Sequence, residues 1–340
     1  MNATGMARTS QPSPYHVQEV TFRNMQSNIT LAGTVTWPEE TNSGPAVVLI
    51  PGGGSHDRDY SVGRHRPFYV LADCLTRHGI AVLRFDECGV GSSEGDPRIS
   101  TCENYADDVL AGVRFLEAFK EFTPNRVGLI GHSEGGMVAS IAAAKYQPIS
   151  LLILLATPGL PGDEYQIQYE GNTGRAMGLS EEAIASRRAV QEEVFAVLLT
   201  EQDHTQAESQ IRSIYRSHYP GIPDEKIDAG ARRFLSPGFR YNLAYDPVRA
   251  LSRVQCPVLA IYGEKDLHVT PDGNASRMKE ILRSRPGAPA YEVLILPGLN
   301  HFFQPNTPAA PFAYDKNTVP ISPVVLDKIS TWIHKHKSKN

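Results

Sequence analysis

The chain has 340 residues, of which 41% are hydrophobic and 21% are charged, and its formal net charge is −4. This length allows one large domain with an insertion or two smaller domains, and the composition is ordinary for a globular protein. The small negative charge argues against binding to nucleic acid or to an anionic membrane surface, and no apolar run reaches the ~18 residues of a membrane-spanning helix.

The N-terminal residues and the cysteines indicate the cellular compartment in which the protein is expected. Residues 1–14 are polar and lack the apolar segment of a signal peptide, so we expect a disordered leader. Cys74, Cys88, Cys102 and Cys256 are scattered and have no metal-ligand spacing. We therefore expect free thiols and a cytoplasmic location; a Cys88–Cys102 disulfide has no positive support.

Strands come first in the predicted order of elements. Residues 17–22 and 29–37 resemble strands, and the alternation in the second predicts a half-exposed antiparallel hairpin. Residues 46–50 are continuously apolar, as in a strand buried on both faces. Helices at 67–78, 104–120 and 135–146 then alternate with strands at 80–85, 126–130 and 150–156. Ser100 with Glu103 predicts a capping box for the second helix.

This alternation predicts a mostly parallel, twisted sheet flanked by helices, and it stops at residue 157. Residues 157–245 are polar, with predicted helices at 180–199, 204–218 and 224–235. The alternation resumes with strands at 258–262 and 291–296 and helices at 275–283 and 324–336. We therefore divide the chain into a core of residues 15–156 and 246–340 and a helical cap insertion of residues 157–245.

The pentapeptide Gly-His-Ser-Glu-Gly at residues 131–135 lies between a predicted strand and a predicted helix. G-x-S-x-G in this setting is the pattern of a nucleophile elbow. A serine hydroxyl is a weak nucleophile and must be held within reach of a base, and flanking glycines permit the sharp turn that does so. We predict that Ser133 is the nucleophile.

The base and its orienting carboxylate should follow other parallel strands, because functional groups gather at the carboxyl ends of such strands. Asp266 follows the strand at 258–262, and His301 follows the strand at 291–296. The order Ser133, Asp266, His301 is typical of α/β-hydrolases. Asp86 and Glu87 also end a strand and are less favoured acids.

During attack by the serine, negative charge develops on the carbonyl oxygen of the substrate, and backbone amides must donate hydrogen bonds to stabilise it. We predict the amide of Glu134 as one donor and that of Gly53 as the other, with Gly54 as the alternative, since residues 52–54 are all glycine. The motifs of phosphate-binding glycine loops are absent here. We interpret the charges of residues 57–59 as an ion-pair brace for this loop.

Two other histidines lie close to the predicted triad in sequence. His132 precedes the serine, and we expect its ring to point away and pack. His268 is too close to Asp266 in sequence to be its partner, and we expect it on the loop surface.

Four stretches, residues 52–59, 85–93, 131–136 and 262–271, resemble the α/β-hydrolase superfamily. The similarity extends over residues 46–336 and is greatest to bacterial carboxylesterases related to dienelactone hydrolases and to the catalytic domains of acylaminoacyl peptidases. Cys88 stands where such proteins usually have arginine, which puts in doubt the ion pair that this arginine would make. The resemblance implies a helical cap after the sixth strand and hydrolysis of short acyl esters without metal or organic cofactor.

The predicted function is hydrolysis of short- to medium-chain esters of small molecules through an acyl-enzyme, by a monomer or homodimer. Three alternatives stay open: a peptidase or acylaminoacyl hydrolase with the same triad, a C–C bond hydrolase, and a non-catalytic small-molecule receptor on the same fold.

Overall fold

The computed structural model describes residues 14–287, 289–306, 312, 314 and 319–336. Residues 1–13 of the expected leader lie outside this range. The strands of the described residues are β1 (Tyr15–Asn24), β2 (Ile29–Pro38), β3 (Ser43–Ile50), β4 (Ala81–Phe85), β5 (Thr123–His132), β6 (Leu152–Leu155), β7 (Val258–Gly263) and β8 (Tyr291–Leu296). They form one sheet in the order β1-β2-β4-β3-β5-β6-β7-β8, with β1–β2 and β2–β4 antiparallel and the other pairs parallel.

Helices cover both faces of the sheet, as the alternating sequence predicts. The helices are α1 (Pro67–Arg77), α2 (Cys102–Glu117), α3 (Glu134–Lys145), α4 (Gly162–Ala176), α5 (Glu181–Thr200), α6 (His204–His218), α7 (Asp224–Leu235), α8 (Pro237–Leu243), α9 (Pro247–Leu251), α10 (Pro271–Arg283) and α11 (Pro323–Lys335). Successive residues of β3 point to opposite faces, so that Val48 packs in the cluster beneath α2, α3 and α10 while Val47 packs beneath α1 and α11.

The N-terminal hairpin is antiparallel as predicted, but the expectation of a half-exposed second strand is wrong. β2 is buried from Leu31 onward. It lies between β1 and β4, and its two buried threonines have hydrogen-bond partners: the Thr36 hydroxyl bonds that of the buried Thr76 at 2.7 Å, and the Thr34 hydroxyl donates to the carboxylate of Glu19, which is exposed. Burial therefore leaves neither hydroxyl without a hydrogen bond.

The capping box of α2 differs from the prediction by one residue. Thr101, not Ser100, precedes the helix, and its amide and hydroxyl both lie 2.9 Å from Asn104 Oδ1. Asn104 therefore takes the place expected for Glu103, whose carboxylate pairs instead with Lys145 at 2.7 Å. Ser100 is instead the C-terminal capping residue of a short 3-10 helix, Pro97–Ile99.

Helices α4 to α8 lie between β6 and β7, in the part of the chain that the sequence predicts to be an insertion. They enclose a hydrophobic cluster of their own, which includes Val194, Phe195 and Ile211. The two ends of the insertion meet, since the Gly162 amide donates to the Tyr245 carbonyl at 2.8 Å. In the described part of the chain, no helix has both the length and the apolarity to cross a membrane.

Candidate active site

Ser133 lies in a sharp turn between β5 and α3. Its backbone has φ 54° and ψ −123°, a conformation that a residue with a side chain rarely adopts. Its amide donates to the Leu155 carbonyl at 2.8 Å, which ties the turn to the end of β6. The surrounding hydrogen bonds therefore hold Ser133 in a strained conformation, as a nucleophile elbow requires.

The glycines around Ser133 are needed for close packing. A Cβ atom on Gly131 would lie 2.2 Å from the Gly135 carbonyl oxygen, and one on Gly135 would lie 2.1 Å from that of Pro51. A Cβ on Gly136 would lie 1.8 Å from Thr157 Oγ1. No side chain fits at these positions without moving backbone or a buried residue, so strand, turn and helix keep one arrangement.

Asp266 and His301 are brought together by the loops after β7 and β8. His301 Nδ1 lies 2.8 Å from Asp266 Oδ2, and both side chains are buried. Asp266 Oδ1 accepts the amides of His268 and Val269 at 2.8 and 3.0 Å. Burial raises the pKa of Asp266, and these amide hydrogen bonds oppose the rise by favouring the carboxylate. The carboxylate fixes the tautomer of His301 with its proton on Nδ1.

Burial also lowers the pKa of His301, so its ring is neutral at neutral pH, the state in which it can accept a proton. Ser133 and His301 line the same cavity. Within the described residues, no hydrogen bond joins the serine hydroxyl to the histidine ring. Such bonds often tighten only when substrate is bound.

The cavity has a volume of about 700 Å³ and lies between the sheet and the insertion. The glycine loop contributes Gly53 and Gly54, and the elbow contributes Ser133 and Glu134. Both predicted oxyanion donors therefore border the space that contains the nucleophile. The insertion contributes much of the wall, notably Leu160, Tyr165, Tyr169, Arg233, Phe239, Asn242 and Tyr245.

A family model described as "Alpha/beta hydrolase family" matches residues 47–313, well over half of the chain. The chain belongs to the alpha/beta hydrolase family. The fold predicted from the sequence is thereby confirmed, including the antiparallel hairpin before the parallel part of the sheet.

Relatives of this alpha/beta hydrolase include esterases. It is 26% identical over 335 residues to esterase EstD of Thermotoga maritima, which covers 96% of this chain and 71% of the relative. It is 26% identical over 245 residues to the human serine hydrolase BPHL, and this match covers 71% of this chain and 70% of that relative. Among solved structures, the Pyrococcus furiosus esterase Pf2001 superposes with a TM-score of 0.56 at 14% identity, covering 99% of this chain and 97% of that one. At this low identity, the similarity to Pf2001 shows a shared fold.

His132 does pack, as predicted, and it also connects the alpha/beta hydrolase's active-site loops. Its Nε2 donates to the His301 carbonyl at 2.8 Å, which makes Nδ1 the acceptor for the Tyr60 hydroxyl at 3.1 Å. The ring also stacks on Phe302. Burial lowers the pKa of His132 to about 3, so this neutral tautomer persists across the physiological range. The network holds the backbone of His301 against the elbow; nothing in the local sequence indicates it.

The expectation that His268 lies on the loop surface is wrong. Its ring stacks on that of His301, with centroids 4.6 Å apart, and it lines the cavity opposite Tyr169. The loop after β7 turns back because Asp266 accepts the amides of residues 268 and 269, and this turn carries the ring inward. His268 makes no hydrogen bond to Asp266 through its ring, so its role differs from that of His301.

The ion-pair brace predicted for the glycine loop is present. Arg58 Nη2 lies 2.8 Å from Asp86 Oδ2, and Nε lies 3.1 Å from Oδ1. The guanidinium hydrogen bonds counter the burial of Asp86 and hold its pKa below the usual range. Both carboxylate oxygens of Asp86 thus accept hydrogen bonds from Arg58, and Asp86 does not contact His301. Glu87, the other less favoured acid, accepts the His56 amide at 2.8 Å.

Cys88 makes no ion pair in the described structure. It is buried, with its sulfur 3.7 Å from the Ser100 hydroxyl. All four cysteines are free. Among the described residues, no group of three or more His, Cys, Asp or Glu side chains has the arrangement to hold a metal ion.

Proposed function

We propose that this chain is a serine carboxylesterase that hydrolyses short- to medium-chain acyl esters through an acyl-enzyme intermediate. One observation carries the proposal: a strained serine and a histidine that is paired with the buried Asp266 line the same cavity. Similarity to EstD over nearly the whole chain supports ester substrates. Four free cysteines suit the reducing conditions of the cytoplasm.

In the proposed mechanism, Ser133 attacks the ester carbonyl and His301 accepts the serine proton at Nε2. Asp266 keeps the other ring proton on Nδ1 and stabilises the imidazolium that forms. The imidazolium then protonates the leaving alcohol. Water, deprotonated by His301, releases the acid from Ser133 in a second round of the same steps.

The amides of Gly53 and Glu134 are proposed to bind the oxyanion. Glu134 is the first residue of α3, so its amide lies at the positive end of the helix. Gly53 borders the same side of the cavity, and its Cα faces the Glu134 side chain. Two preorganised donors at this position would stabilise the tetrahedral intermediate more than the ester.

Hydrolysis of p-nitrophenyl esters from acetate to decanoate tests the proposal. We expect turnover with a pre-steady-state burst of nitrophenol equal to the enzyme concentration, because nitrophenol is a good leaving group and acylation should be faster than the release of the acid by water. The highest kcat/KM should fall on short or medium chains, as the cavity of about 700 Å³ holds a small ligand. A burst-free profile would contradict an accumulating acyl-enzyme, and no turnover at all would contradict the esterase.

We propose that the inserted helices act as a cap that selects acyl chains, since much of the cavity wall comes from them. Tyr169→Ala should move the chain-length optimum toward longer esters, because it removes a ring that narrows the cavity beside His268. The measurement is the kcat/KM profile over the same ester series. Met177→Ala is the matched control: Met177 also belongs to the insertion but is exposed and borders no part of this cavity. Equal profiles for wild type and Tyr169→Ala would contradict the proposal.

A further inference from the structure

Glu134 lines the cavity beside Ser133, and its carboxyl group lies next to the glycine loop. Its Oε2 lies 3.1 Å from the position of a Cβ on Gly53, which lines the same cavity. The residue proposed to bind the oxyanion through its amide thus also places an acidic group next to it. The mechanism above makes no use of this acid.

Asn242 of α8 fixes the orientation of this carboxyl group. Cys102 donates its S–H to Asn242 Oδ1 at 3.2 Å, so the amide nitrogen of Asn242 is left to face Glu134. Asn242 Nδ2 donates to Glu134 Oε2 at 2.5 Å. The carboxyl group is therefore an acceptor in this contact, and Oε1 has no hydrogen-bond partner in the described part of the chain.

Glu134 also lacks a cation. Among the described residues no Arg, Lys or His forms an ion pair with it, whereas Asp86 is paired with Arg58. Of the described residues that line the cavity, Arg233 alone carries a permanent positive charge. Arg233 lies against Phe234 and Phe239, with Glu170 at 3.9 Å.

A second buried carboxyl group, that of Glu87, lies near Glu134. Glu87 accepts the His56 amide, and its pKa is raised well above its usual range by burial and, to a smaller extent, by the nearby Glu134. Burial raises the pKa of Glu134 itself. An anion here opposes the oxyanion that forms beside it, so an enzyme specific for neutral esters gains nothing from Glu134. A cationic substrate group would satisfy Oε1, pair the charge and remove this repulsion.

We propose that Glu134 binds the ammonium group of an ester whose amine lies next to the scissile carbonyl, as in an amino acid ester. This inference rests on the proposed esterase function and names its substrate class. Because the amide and the carboxyl group belong to the same residue, the oxyanion and the ammonium would be bound side by side. Glu134 would then be a specificity-determining residue.

Two esters that differ only in the amine test this inference: L-phenylalanine methyl ester and methyl 3-phenylpropionate. Their hydrolysis is measured at a pH below the pKa of the amine, so that the amino ester carries an ammonium group. We expect wild type to prefer the amino ester in kcat/KM. Glu134→Gln is isosteric and can still accept from Asn242. It should lower kcat/KM for the amino ester by about 10- to 100-fold, the usual cost of losing a charged hydrogen bond. The same change should raise the rate with methyl 3-phenylpropionate, because a negative charge near the oxyanion is removed.

Asn242→Ala separates binding of the substrate's ammonium group from the hydrogen bond that joins Glu134 to α8. It removes the hydrogen bond to α8 but keeps the carboxyl group, so the preference for the amino ester should persist. A ratio of the two rates that is unchanged in Glu134→Gln, or an equal fall for both esters, overturns the ammonium site. Failure of the esterase function is recognisable separately: wild type would hydrolyse neither ester, and the inference would fall with it.

Discussion

Ser133→Ala is expected to lower kcat for p-nitrophenyl esters by about 10⁴- to 10⁶-fold, because no other group in the proposed mechanism can form the acyl-enzyme. The burst of nitrophenol should vanish together with steady-state turnover. The fold should persist, since the Ser133 side chain makes no hydrogen bond in the described residues and its amide bond to Leu155 is unaffected. Stopped-flow kinetics and thermal unfolding measure the two effects.

Ser140→Ala is the matched control for this change. Ser140 is a buried serine of α3 whose hydroxyl donates to the Gly136 carbonyl at 2.7 Å, and it does not border the cavity. We expect its kcat to stay within a few-fold of wild type. Activity above one part in a hundred in Ser133→Ala would show that another residue is the nucleophile.

Asp266→Asn should lower kcat by about 10³- to 10⁴-fold, because an amide in this position favours the wrong tautomer of His301 and cannot stabilise its imidazolium. The loss should appear in the acylation rate as well as in steady-state turnover, since His301 acts in both half-reactions. Single-turnover measurement of nitrophenol release separates the two. Circular dichroism checks that the buried substitution leaves the fold intact.

Glu264→Gln provides the comparison within the same loop. Glu264 is an exposed carboxylate that accepts the Gly298 amide at 2.9 Å, two residues from Asp266. We expect an effect of only a few-fold on kcat. A loss below tenfold in Asp266→Asn would remove Asp266 from the mechanism and return Glu87 to consideration.

The positions of Asp266 and His301 could be predicted because they depend on topology. Parallel strands end at one edge of the sheet, so residues that directly follow two such strands in sequence come close in space. The elbow could be predicted for a related reason, since its glycines stand at fixed spacing around Ser133. These features require only the sequence pattern and the alternation of strands and helices.

Other features depend on contacts between distant segments, which leave no local pattern. The ring of His268 stacks on that of His301, which follows a different strand, and the His132–Tyr60 bond joins residues 72 apart. Helices α4 and α8 were not predicted. Strand β2 has the alternation of a half-exposed strand, yet neighbours cover both its faces, so its periodicity gave the wrong burial.

The junction between the two ends of the insertion makes exchange of this segment between family members feasible. Gly162 and Tyr245 are already in contact, so a foreign segment inserted between them would close a loop whose ends stand at hydrogen-bonding distance. Chimaeras built at this junction could acquire a new substrate range while the sheet and its catalytic loops remain those of the parent.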